Sequence, residues 1–153
     1  MSDMQQLVDL AISINLKHKK FKKESGMDRI CSRMMWMKES TIYIDVGRGT
    51  GKTQYIIDNA EVNDCIFIGS RTLKNEILQR SKNQALKPRN IFTCNGVDLD
   101  QFRGHNMFRK CERVYVDEPY HVFHRKESLI QQFYELFVSF SETDPTFIFL
   151  GKT

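Results

Sequence analysis

Asp45-Val46-Gly47-Arg48-Gly49-Thr50-Gly51-Lys52-Thr53 lies between two segments of opposite periodicity. Before it runs Thr41-Ile42-Tyr43-Ile44, β-branched and apolar. After it runs Gln54-Tyr55-Ile56-Ile57-Asp58-Asn59-Ala60, with helical spacing. A strand, a glycine-rich turn ending in Gly-Lys-Thr, and a helix form a phosphate-binding loop. Glycine reaches the left-handed backbone conformations that let successive N–H groups turn inward. Those N–H groups and the positive end of the helix favour an anion. The expectation is that Gly47, Arg48, Gly49, Thr50, Gly51, Lys52 and Thr53 wrap a polyphosphate. Lys52 would reach the β- and γ-phosphates, and the Thr53 hydroxyl would hold magnesium. One residue departs from the pattern: Val46 stands where the usual spacing puts the first glycine.

A second stretch answers the first. Arg113-Val114-Tyr115-Val116-Asp117-Glu118-Pro119 is an apolar strand ending in two acids and a helix-starting proline. Asp117 at that place would bind magnesium, and Glu118 would orient or deprotonate an attacking water. Taken alone, the same residues describe a strand that ends at an acidic turn.

Working outward, Met4 to about Leu16 carries apolar residues near helical spacing, with Ser2 or Asp3 as its cap. It runs into Lys17-His18-Lys19-Lys20-Phe21-Lys22-Lys23. That run reads either as a contact for nucleic-acid phosphates or as a solvated helix end that complements the helix dipole. A second helix is expected from Asp28 to about Lys38, with Trp36 in the core or beside an adenine. Asp64–Gly69 and Asn90–Cys94 read as strands, and Leu73 to Ser81 as a helix. Asn95 to Lys110 reads as irregular. Glu127 to Ser139 is amphipathic, with Leu129, Ile130, Phe133, Leu136, Phe137 and Phe140 on one side. Thr146-Phe147-Ile148-Phe149-Leu150 is a last buried strand. Strands alternating with helices predict an α/β fold, a mainly parallel sheet of about five strands flanked by helices. Residues 1–40 would form a helical N-terminal extension packed on a core of residues 41–153.

The chain has 153 residues, enough for about one domain with its own core. No apolar run is long enough to span a bilayer, and the N-terminus lacks the basic start and apolar stretch of a signal peptide. The expected location is the cytoplasm, that of the host if the chain is viral. Cys31, Cys65, Cys94 and Cys111 are scattered, which fits reduced thiols. Cys94, His105, Cys111, His121 and His124 have no spacing of a known zinc module. A net charge of +4 permits a nucleic-acid partner without requiring one.

Together these residues resemble an additional-strand, catalytic-glutamate P-loop NTPase. Within that class the chain is most similar to viral DNA-packaging ATPases, such as terminase large subunits, and to the first motor domain of helicases. Gly47 to Thr53 resembles the Walker A loop of packaging motors, which tolerates change at the first glycine. Arg48 matches an arginine proposed in that family to act on the γ-phosphate in cis. Ile66–Arg71 resembles the second strand and its trailing arginine, and Val114–Glu118 the Walker B motif. Phe147–Thr153 resembles the strand that carries a polar sensor or coupling residue. The resemblance implies ATP and Mg2+ as cofactors. It implies Lys52, Glu118 and Arg48 in catalysis, and Thr53 and Asp117 on the metal. The partners it implies are a nucleic acid, DNA first, and further copies or a missing motor domain. Those families add a nuclease or second motor domain, and this chain stops at the end of a strand, so it reads as a minimal gene product or part of a larger motor. Two alternatives stand beside this reading. One is a nucleotide kinase, which would want an arginine-rich lid. The other is a non-hydrolysing nucleotide-binding assembly or regulatory subunit.

Overall fold

A computed structural model describes residues 2–81, 85–97 and 99–153. Asp98, inside the segment read as irregular, lies outside the described residues. Five strands form one sheet: β1 (Ile42–Ile44), β2 (Cys65–Ile68), β3 (Ile91–Thr93), β4 (Arg113–Asp117) and β5 (Thr146–Leu150). Their order is β1-β5-β4-β2-β3, and every neighbouring pair is parallel. The last strand therefore inserts between the first and the fourth.

A parallel sheet with both faces covered needs strands that are apolar throughout. All residues of β2 and β5 are buried. Side chains alternate between faces. Phe67, Val114, Val116, Phe147 and Phe149 point into one cluster, closed by α7 (Glu127–Phe140). Ile66, Ile68, Tyr115, Ile148 and Leu150 point into the other, closed by α1 (Asp3–Glu24) and α4 (Lys52–Asn59). The other helices are α2 (Met27–Ile30), α3 (Arg33–Glu39), α5 (Arg71–Arg80) and α6 (Pro119–Phe123). No described helix is long and apolar enough to cross a membrane.

The first cluster is aromatic. Phe67 stacks on Phe92 at 5.0 Å and meets Phe133 edge-on at 5.0 Å. Because it is fully buried between two layers, Phe67→Ala leaves a cavity that the surrounding rings cannot fill. The expected loss is about 3–5 kcal/mol, read as a lower urea midpoint with unchanged slope.

The N-terminal helix runs into the basic stretch as expected, but the segment departs from expectation in two ways. α1 continues through the basic run to Glu24. Lysine is a good helix former, and Ser25 and a left-handed Gly26 (φ 76°) stop the helix only there. First, the run is not wholly solvated. Lys19 is buried, donates to the Pro145 carbonyl at 3.3 Å and lies 3.7 Å from Asp144. Burial lowers the Lys19 pKa, and Asp144 opposes that. Second, the single helix expected over Asp28–Lys38 is two. Cys31 is extended, and the Ser32 hydroxyl accepts from Met35 N at 3.1 Å to start α3 afresh. Trp36 on α3 donates to Asp144 at the amino end of β5, which makes it a core residue. It is far from the glycine-rich loop, which lies beyond the carboxyl end of β1, so the adenine-side alternative is set aside.

One buried acid joins β2 to its neighbours. Asp64 accepts from Glu61 N at 2.8 Å and from Arg113 N at 3.1 Å. Burial nonetheless pushes its carboxyl up to about 6 from 3.8. The folded chain then holds this proton more tightly than the unfolded chain, so the contribution to stability falls as pH rises from about 4 to about 6. The expected fall is up to about 3 kcal/mol. Urea midpoints of wild type and Asp64→Asn across this range isolate it, since only the wild type carries the group.

Candidate functional site

The site forms where β1, β4 and β5 end. Asp45 to Gly51 leave the sheet as a loop, and α4 begins at Lys52. Gly47, Gly49 and Gly51 have φ of 90°, 70° and 87°. A Cβ on any of them would meet nothing within 4 Å, so the demand for glycine here is conformational. Thr50 Oγ1 ties the loop by donating to the Gly47 carbonyl at 3.0 Å. Val46 is exposed and does not line the cavity, so the departure at this position does not fill the site.

Two residues from the first turn of α4 meet two from the end of β4. Thr53 Oγ1 donates to Asp117 Oδ2 at 2.7 Å. Lys52 Nζ lies 3.4 Å from Glu118 Oε1 and also donates to the Gly47 carbonyl. Both Lys52 and Asp117 are buried. Burial raises the Asp117 pKa, and the Thr53 hydroxyl, Lys52 and His121 act against that. Glu118 takes a left-handed conformation (φ 54°) that is uncommon away from glycine. It caps α6, with Pro119 at that helix's first position.

These groups open on one cavity of about 620 Å³, bounded on the far side by Leu73 and Arg80 of α5. Gly47, Arg48, Gly49, Thr50, Gly51, Lys52, Thr53, Asp117 and Glu118 all line it. Arg48 is exposed, with no hydrogen-bond or ion-pair partner among the described residues. Arg71 does not line the cavity. Sequence reasoning missed Tyr120 and His121 of α6 and Lys152 beyond β5, all of which do. Lys152 falls in the Phe147–Thr153 segment likened to a sensor strand, but that likeness does not single it out as a site residue.

The donor set suits a hard cation with few protein ligands. Among the described residues no three His, Cys, Asp or Glu cluster as a metal cage. The Thr53 hydroxyl and Asp117 carboxylate offer two oxygens, in keeping with magnesium's habit of retaining water and taking phosphate oxygens. The residues considered for zinc are dispersed. His105 packs on Phe92, the Cys94 thiol faces the Val97 and Val122 carbonyls, and His124 bonds Asn95. An ammonium, a glycine-rich loop and two carboxylates around one cavity can hold a polyphosphate and receive a proton beside it. No protein-family model matches the chain, and no curated protein matches it.

Proposed function

We propose that the chain is a Mg2+-dependent ATPase of the additional-strand P-loop class, coupled to nucleic-acid movement as in packaging or helicase-like motors. The observation that carries this is the double pairing of Thr53 with Asp117 and Lys52 with Glu118 across the ends of α4 and β4. The position of β5 between β1 and β4 is what an additional-strand sheet requires.

Lys52, the loop N–H groups and Arg48 offset charge on the phosphoryl oxygens. Thr53 and Asp117 would hold magnesium, which would supply further charge neutralisation. Glu118 orients water and accepts its proton. For this, Lys52 exchanges the Gly47 carbonyl and Glu118 for phosphate oxygens. The exposed Lys17 and Lys20 on α1 offer cations to a nucleic-acid backbone, DNA or RNA. Further copies of the chain would complete the motor.

The test is steady-state ATP hydrolysis by the purified chain with Mg2+, against added single- and double-stranded DNA and RNA, across protein concentration. The expected result is Mg2+-dependent turnover that rises with nucleic acid. Nucleotide bound without turnover in every condition selects the non-hydrolysing subunit. Phosphate transfer to added nucleosides selects the kinase.

A further inference from the structure

Gly151 follows β5 with φ 119°, a conformation that side chains rarely adopt. Its other feature is the neighbour it makes room for. A Cβ placed there would lie 2.6 Å from Glu118 Cδ and 2.8 Å from Oε1, well inside contact distance. The Glu118 carboxylate therefore rests on the bare backbone of Gly151. It is also held from the next residue: Lys152 N donates to Glu118 Oε2 at 3.2 Å. Three backbone bonds clamp the two segments in register. Glu118 N donates to the Leu150 carbonyl, Tyr120 N to the Lys152 carbonyl, and Gly151 N to the Ile44 carbonyl, each at 2.8 Å. The chain leaving β5 thus ties the end of β1 to the residue after β4.

From this geometry we infer that Gly151 is a positioning residue for Glu118. Its missing side chain and the Lys152 N–H set where the carboxylate sits relative to Lys52 and the cavity. The inference rests on Glu118 acting as the base of the proposed hydrolysis. The atoms that a methyl group at 151 would meet are the far end of a flexible side chain. The side chain yields before the sheet does, so Gly151→Ala swings the carboxylate away and leaves the phosphate-binding loop intact.

The experiment is a double-mutant cycle read by turnover and by nucleotide affinity. Gly151→Ala is expected to lower kcat at least thirtyfold, with ATP affinity within about threefold of wild type. Aspartate is one methylene shorter and does not reach over Gly151. In a Glu118→Asp background, itself slower, Gly151→Ala is expected to change kcat less than threefold. Gly104→Ala serves as the backbone control. Gly104 also has positive φ (76°), and a Cβ there meets only Phe140 at 3.9 Å. It should leave turnover near wild type. Equal losses from Gly151→Ala in both backgrounds would assign its effect to backbone strain and overturn the inference, as would wild-type turnover in Gly151→Ala. Lack of hydrolysis by the wild-type chain would instead remove the proposed ATPase reading, and this inference with it.

Discussion

Glu118→Gln is expected to bind ATP as tightly as wild type or slightly more tightly, and to turn it over about 10³-fold more slowly. Glutamine keeps the shape and an oxygen acceptor for Lys152 N–H. It loses the negative charge that lies 3.4 Å from Lys52 Nζ. Freeing Lys52 from that pair removes a competitor for the phosphates, so affinity should hold or rise. What glutamine cannot do is take a proton from water. Titration with a fluorescent ATP analogue gives the affinity, and phosphate release in a single turnover gives the rate. A mutant that hydrolyses ATP like wild type would take Glu118 out of the base role. A mutant that loses both binding and turnover would mean that its effect is on the fold of the loop.

The parts of this arrangement legible in the sequence are those whose physics is local. The glycines at 47, 49 and 51 are legible because three left-handed residues in one turn leave a compositional mark. β2 and β5 are legible because a strand covered on both faces must be apolar at every position. Strand order is different. Nothing in Thr146–Leu150 names its neighbours, and its place between β1 and β4 is set by the packing of the whole sheet. The ends of elements are also poorly marked. α6 stops at His124 and Arg125, both left-handed (φ 50° and 58°), where a glycine would have announced the turn. The break between α2 and α3 turns on one serine hydroxyl that also fits a helix interior. In the site, Lys52, Thr53, Asp117 and Glu118, read from two separate motifs, line one cavity. Gly151, Lys152 and Tyr120 owe their place to pairing across the sheet, which a single sequence does not display.

Lys52→Ala tests the other half of the site. Its ammonium is buried, and among the described residues it meets only the Gly47 carbonyl and Glu118, groups belonging to the loop and to the proposed base. A lysine kept for stability would be expected to tie elements of the core together, as Lys19 does between α1 and the turn before β5. Lys52 instead points at the cavity. Removing it should lower ATP affinity at least 100-fold, since a charge-assisted contact to phosphate is lost and Glu118 is left facing the anion unneutralised. The melting temperature should move by only a few degrees, because Glu118 remains partly wet and the alanine still continues α4. Lys52→Arg separates charge from shape. Its planar guanidinium keeps the charge but does not reproduce a compact ammonium within bonding reach of Gly47. Weak binding in both variants, with folding intact, would show that the site needs a point charge at that spot and not merely a cation. A large stability loss in Lys52→Ala with ATP affinity preserved would reassign the residue to the fold.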